Sequence, residues 1–167
     1  MEKSKEIILK KSGIKISENS IVNPLIVYAN YIFDSITSDA FTVKDQGIYA
    51  SLVSLSTDAS NMKNGRPVSM EEVKLTYKTG EVRENYYDNP VFNEILHEYK
   101  HLLKDSNILF PIAGLRTIVN LKKLCNDRMF LVSSDKGYSI PSELEDLGHP
   151  YIDFHGSFSL MVNFHAI

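Results

Sequence analysis

Pro24-Leu25-Ile26-Val27-Tyr28-Ala29 is a continuous apolar run that begins at a proline and ends before Asn30. A run of this length without polar alternation is typical of a strand buried on both faces of a parallel sheet. A second run of the same kind, Met129-Phe130-Leu131-Val132, ends at the polar segment 133–137. The two runs predict neighbouring parallel strands whose polar ends lie at one edge of the sheet.

The segment between these runs begins with β-prone stretches separated by turn residues. Asp45-Gln46-Gly47 predicts a hairpin in which the glycine adopts a positive φ. Lys78-Thr79-Gly80 predicts a second hairpin, which joins strands over 73–77 and 82–86. We therefore predict an antiparallel β-hairpin insertion over residues 40–88.

Two helices are predicted after this insertion. Pro90 suits the first turn of a helix. The apolar residues that follow recur with the spacing of one helical face: Phe92, Ile95, Leu96, Tyr99, Leu102 and Leu103. Residues 112–124 repeat the pattern more weakly. Strands and helices in this order indicate an α/β fold, with a lead-in segment over 1–22 and a single domain over 23–167.

Composition limits the classes of function. Eighteen Lys and Arg against 21 Asp and Glu leave a net charge of −3, which gives no excess of positive charge for binding nucleic acid. Cys125 is the only cysteine, as expected in a reducing compartment. The longest apolar stretch, 24–33, is well short of the roughly 20 residues that cross a bilayer. We expect a soluble cytoplasmic protein that binds neither nucleic acid nor membrane.

His97-Glu98-Tyr99-Lys100-His101 matches the pattern of zinc hydrolases, in which two histidines one helical turn apart bind the metal. At 100° per residue, however, both histidines lie on the polar face of the predicted helix, and Lys100 would repel a dication. Two surface histidines are the favoured interpretation, and no metal site is expected. A zinc hydrolase is kept as a third hypothesis.

Polar residues follow each of the two apolar runs. In open α/β sheets, ligands bind beyond the carboxyl ends of the strands, so Asn30, Asp34 and the segment 134–137 are candidates for ligand contact. The alternative is that Asn30 ends the strand and Asp34 caps a helical turn. His155-Gly156-Ser157 could form a pocket wall or a simple turn.

Three blocks of the chain resemble the MidA-like S-adenosylmethionine-dependent methyltransferases. They are residues 23–41, residues 131–138 and residues 155–167. Asn30 and Asp34 fall where that family has an Asn-Glu-x-x-Asp segment after a strand, and Asp135-Lys136-Gly137 falls where it has Asp-Tyr-Gly. The blocks occur in the family's order and spacing.

This resemblance implies a partial Rossmann-like sheet of the class I methyltransferase type, mixed and carrying the β-hairpin insertion. It implies that Asn30 and Asp34 act in catalysis. Tyr31, Asp135, Gly137, His155 and Ser157 would contact the substrate, which could be a protein. Tyr31 stands where the family has its glutamate, which puts an arginine substrate in doubt.

The cofactor-binding half of the family lies before these blocks, and no G-x-G-x-x-G occurs in this chain. The resemblance therefore implies a truncated domain, which needs a complementary N-terminal half to bind S-adenosylmethionine. The alternative function is a non-catalytic interaction module. Such a module would dimerise or bind a protein partner through the hairpins and their exposed tyrosines.

Overall fold

The computed structural model describes residues 6–58, 69, 72–150, 153–154 and 158–167. Over these residues the chain is a mixed α/β protein with several sheets and two helices. The strands are β1 (Ile7–Ile8), β2 (Lys15–Ile16), β3 (Leu25–Asn30), β4 (Asp39–Lys44), β5 (Gly47–Ser56), β6 (Lys74–Glu81), β7 (Asp105–Phe110), β8 (Met129–Ser134), β9 (Gly137–Tyr138), β10 (Asp153–Phe154), β11 (Phe158–Ser159) and β12 (Val162–Asn163). The helices are α1 (Pro90–Leu102) and α2 (Ile112–Leu124), with short 3₁₀ turns at Pro141–Glu143 and Phe164–Ala166.

The two apolar runs pair in parallel, as predicted. Leu25 lies opposite Met129 and Asn30 lies opposite Ser134, without a break in register between them. Val27 and Leu131 therefore sit side by side on adjacent strands. The polar ends of β3 and β8 consequently emerge at the same edge.

The prediction that these strands are buried on both faces is wrong. Ile26, Tyr28 and Phe130 are 72%, 75% and 64% exposed. Their neighbours Ala29 and Leu131 point the other way, into a cluster that includes Ile118 of α2. An unbroken apolar run carries no signal that separates a strand covered on both faces from one covered on a single face.

The middle of the chain forms a four-stranded antiparallel sheet in the order β6-β5-β4-β7. The hairpin between β4 and β5 is confirmed. Its turn places positive φ angles at Asp45 (51°) and Gln46 (58°), while Gly47 begins β5, so the predicted role of the glycine is wrong. The absence of a side chain at Gly47 instead leaves room for the Tyr49 ring, because a Cβ there would lie 2.9 Å from the Tyr49 hydroxyl.

The second predicted hairpin does not form. Residues 74–81 are one continuous strand that pairs with β5 from Ser56↔Lys74 to Tyr49↔Glu81. The Lys78-Thr79-Gly80 turn is therefore wrong: the long partner strand supplies hydrogen bonds that override local turn preference. The sheet also extends beyond the predicted insertion, because β7, which the sequence interpretation missed, pairs antiparallel with β4.

Both predicted helices form at the expected positions. Asn89 caps α1 by accepting a hydrogen bond from the backbone amide of Val91 at 3.0 Å. The main core packs α1 and α2 against the four-stranded sheet, and its buried members include Phe41, Val43, Phe92, Leu96, Tyr99, Ile108, Phe110 and Leu115. α2 also covers the inner face of β3 and β8, where a Cβ on Gly114 would lie 2.8 Å from the Phe33 ring.

The two ends of the chain form short strand pairs. Near the C-terminal end, β11 pairs with β10, and β12 pairs in parallel with β9. In the lead-in, β1 and β2 pair antiparallel, and the amide of Ile21 donates to the Leu124 carbonyl at 3.0 Å.

Candidate functional site

The carboxyl ends of β3 and β8 form a shared polar rim. Asn30 lies opposite Ser134, and the next amide, that of Tyr31, donates to the Ser134 carbonyl at 3.0 Å. Ligands in α/β sheets bind at this kind of edge. The structure therefore brings together Asn30, Tyr31, Asp34 and Asp135, which come from segments about a hundred residues apart in the chain.

Two carboxylates lie at this rim, and hydrogen bonds orient both. The amide of Asp34 donates to Oδ2 of Asp135 at 3.1 Å, and the amide of Lys136 donates to Oδ1 of the same carboxylate at 2.9 Å. Oδ1 of Asp34 accepts from the Ser35 hydroxyl at 2.7 Å. Oriented carboxylates of this kind suit a cationic group or a group that releases a proton.

Tyr31 adopts an unusual backbone conformation. Its φ is +52°, and its side chain is 73% exposed. A left-handed conformation costs a residue with a side chain roughly 1–2 kcal/mol, and such strain is concentrated at functional sites. This left-handed residue lies between Asn30 at the end of β3 and Asp34 at the rim.

The C-terminal segment bridges the two loops of the rim. The amide of Leu160 donates to the Asp34 carbonyl at 3.0 Å, and the amide of Val162 donates to the Lys136 carbonyl at 2.9 Å. Lys136 also donates from Nζ to the Ser159 hydroxyl at 2.7 Å. Lys136 lies inside the candidate segment 134–137, whereas Ser159 was not a sequence candidate.

Gly137 is held against the same segment. A Cβ at this position would lie 2.2 Å from the Val162 carbonyl oxygen and 2.8 Å from the Phe164 ring. No side chain fits in that space, so the glycine lets β9 and β12 approach each other. The other two predicted substrate contacts, His155 and Ser157, lie outside the described residues.

A buried polar cluster includes Asn163, the last residue of β12. Asn163 Nδ2 donates to the Tyr99 hydroxyl at 3.0 Å, and that hydroxyl lies 3.0 Å from Nδ1 of His165. Burial raises the pKa of Tyr99 to about 12, against a smaller opposing effect of the Asn163 hydrogen bond. Asn163 also lines a cavity of about 170 Å³ beside Asn107 and Leu147. No rim candidate lines this cavity.

The histidine pair on α1 does not form a metal site in the described part of the chain. Nε2 of His97 lies 2.8 Å from the Glu84 carbonyl oxygen, and His101 is exposed. The described residues contain no group of three or more His, Cys, Asp or Glu side chains placed to hold a metal ion.

The fold and rim define a mixed α/β protein with a polar edge at the ends of two parallel strands. No family model, curated protein or solved structure matches this chain. Within the described residues, neither helix is long and apolar enough to cross a membrane.

Proposed function

We propose that this chain is the C-terminal half of an S-adenosylmethionine-dependent methyltransferase-like domain with a partial Rossmann-like sheet, and that it supplies the residues that bind the methyl acceptor. The observation that carries this proposal is the in-register parallel pairing of β3 with β8, which gathers the polar residues of both loops at one rim. The resemblance of the same segments to MidA-like methyltransferases gives the reaction type. A cytoplasmic location belongs to the same proposal.

The described residues do not fit S-adenosylmethionine by themselves. Neither β3 nor β8 is followed by the glycine-rich turn through which a backbone approaches such a ligand, because their loops carry Tyr31 and Asp135 at the corresponding places. The cofactor would therefore be held by a complementary N-terminal half.

The part of this chain is to bind and orient the acceptor. Asn30 offers an amide donor and acceptor at the end of β3, and the exposed Tyr31 ring can cover the acceptor group. The free oxygen of the Asp34 carboxylate can align a protonated amine or accept the proton that the acceptor releases. Orientation of the reactants is the main source of rate in such transfers.

The experiment is a methyl-transfer assay with both halves. The purified chain is mixed with the N-terminal half of a MidA-like methyltransferase, and transfer of labelled methyl groups to a protein extract is measured. We expect Asp34→Ala and Asn30→Ala to lower the rate about tenfold or more. The matched control is Asp58→Ala, because Asp58 is a carboxylate paired with Lys74 on the distant hairpin. Transfer that is absent, or equal in all variants, overturns the proposal.

A non-catalytic interaction module is the second candidate, and one observation favours it. At the outer end of the β5–β6 pair, Val53, Leu55 and Leu75 share one face and are exposed, with Leu55 at 66%. Two tyrosines of this region make contacts within the chain instead. Tyr77 stacks on His149 with ring centroids 4.2 Å apart, and Tyr87 is buried. Sedimentation of the chain and of Leu55→Lys tests this candidate, which requires an association that the variant abolishes.

A further inference from the structure

The outer edge of β3 is open in the described part of the chain. The amides of Leu25 and Tyr31 donate toward Arg128 and Ser134, so the odd-numbered backbone groups of β3 point at β8. Backbone direction alternates along a strand, so the groups of Ile26, Tyr28 and Asn30 point away from β8. No described strand pairs with that side of β3.

An apolar face adjoins this edge. Ile26 is paired with Phe130 and Tyr28 with Val132, so these four side chains lie together on the side of the β3–β8 pair that faces away from α2. We call them the outer face. Three of the four are large hydrophobic side chains more than half exposed.

A parallel sheet rarely has both an unpaired edge strand and a solvent-exposed apolar face. Parallel sheets are almost always covered on both faces, and two strands alone give little stability. A partner that adds a strand in parallel to β3 would supply the missing hydrogen bonds. Coverage of the outer face requires an element with an apolar stripe, which a helix provides.

The handedness of crossover connections indicates which face the helix of an added strand would cover. α2 covers the inner face and leads into β8 on one side of β3. Connections between parallel strands are right-handed in about 98% of cases. Strands that are added one after another, moving outward from the opposite side of β3, therefore carry their connecting helices on the opposite face, which is the outer face.

We propose that the outer edge of β3 and the outer face together dock a strand–helix unit of the cofactor-binding half, with its strand parallel to β3 and its helix on Ile26, Tyr28 and Phe130. This proposal rests on the proposed function, in which the unit belongs to the cofactor-binding half. With this unit in place, strands would be added on both sides of β3, which creates a topological switch point beside Asn30. α/β sheets bind ligands at such switch points.

A second copy of this chain cannot satisfy both features at once. A two-fold axis normal to the sheet pairs β3 with its own copy antiparallel but leaves both outer faces bare. A two-fold axis in the plane of the sheet packs the outer faces together but leaves both β3 edges open. The strand–helix unit is the occupant that covers edge and face together.

The test measures hydrogen exchange of the full chain alone and mixed with the N-terminal half of a MidA-like methyltransferase, alongside sedimentation. We expect the amides of Ile26, Tyr28 and Asn30 to be protected only in the mixture. Tyr28→Pro removes an edge donor that β8 does not use, and Phe130→Glu charges the outer face; each should weaken the complex about tenfold or more. Leu52→Glu is the control, an exposed leucine on the other sheet.

The outcomes separate this proposal from the proposed function. A complex that protects the edge without binding S-adenosylmethionine supports the docking surface and overturns the function. A complex that binds S-adenosylmethionine while the three amides stay unprotected overturns the docking surface alone. The docking proposal is also overturned if no complex forms, if neither variant weakens it, or if the chain alone forms a dimer that Phe130→Glu dissociates.

Discussion

The backbone amide of Asp34 donates to the Asp135 carboxylate at 3.1 Å and joins two loops that are 101 residues apart in the chain. The same carboxylate accepts a hydrogen bond from the Lys136 amide through its other oxygen. Asp135 therefore holds the rim together through both of its oxygens, and this role makes it a positioning residue for Asp34.

Substitution of Asp135 should loosen the rim in a graded way. Asp135→Ala removes both acceptors and should lower the free energy of unfolding by about 1–3 kcal/mol, while Asp135→Asn keeps one oxygen and should cost about half as much. Urea denaturation measures the difference, and hydrogen exchange at the Asp34 amide should speed up. An Asp34 amide that exchanges at the original rate in Asp135→Ala would show that this contact does not hold the loop.

Gly137→Ala should be among the most destabilising alanine substitutions in the chain. Its Cβ would lie 2.2 Å from a backbone carbonyl oxygen, which cannot move without separating β9 from β12. We expect a loss of about 2 kcal/mol or more in thermal or urea unfolding. Gly148→Ala is the matched control, since a Cβ there meets nothing within 4 Å. Equal effects of the two substitutions would contradict the close approach of β12.

The buried hydroxyl of Tyr99 should make stability depend on alkaline pH. Its pKa is raised from 10.0 to about 12 by burial, so above pH 10 the unfolded chain loses this proton before the folded chain does. The folded state then binds more protons, and the free energy of unfolding falls as pH rises, by up to about 1.4 kcal/mol per pH unit.

Tyr99→Phe isolates this effect. At pH 7 the variant should be less stable by about 1–3 kcal/mol, because the buried Asn163 amide loses its partner. Between pH 10 and pH 12 the free energies of unfolding of the variant and the original chain should become closer, since phenylalanine has no proton to lose. Urea unfolding across this range measures it, and a difference that stays constant with pH would refute the burial of the hydroxyl.

The two sides of β8 should respond differently to the same substitution. Phe130→Ser changes an exposed side chain and should alter the free energy of unfolding by less than about 0.5 kcal/mol. Leu131→Ser changes a side chain packed against the Ala29 and Phe33 cluster and should cost about 1 kcal/mol or more. A larger cost at Phe130 than at Leu131, measured by urea denaturation, would mean that the outer face is covered in the isolated chain.

Much of the fold was predictable because its signals are local. The helix that begins at Pro90 has a clear apolar period, and the β3 and β8 runs are long and uninterrupted. The single strand over 74–81 was not predictable, since Gly80 imitates a turn and only pairing with β5 holds the strand straight. β7 was missed because its apolar part, Ile108-Leu109-Phe110, is only three residues long and lies between two helices.

The candidate site was predictable only where polar residues directly follow a strand. This signal gave Asn30, Asp34 and Asp135, which the structure brings to one rim. The hydrogen bond between Ser159 and Lys136 forms because the C-terminal segment lies beside the two loops. No local sequence pattern predicts that position. Exposure of the outer face was likewise hidden, because a sequence does not show which side of a strand is covered.

Calorimetric titration of S-adenosylmethionine into the chain, with and without the N-terminal half of a MidA-like methyltransferase, tests the proposed function. We expect no binding heat with the chain alone and saturable binding in the mixture, in one equivalent per complex. Saturable binding to the chain alone, or a mixture that forms a complex and still gives no binding heat, would contradict the claim that this chain is the acceptor-binding half of a methyltransferase.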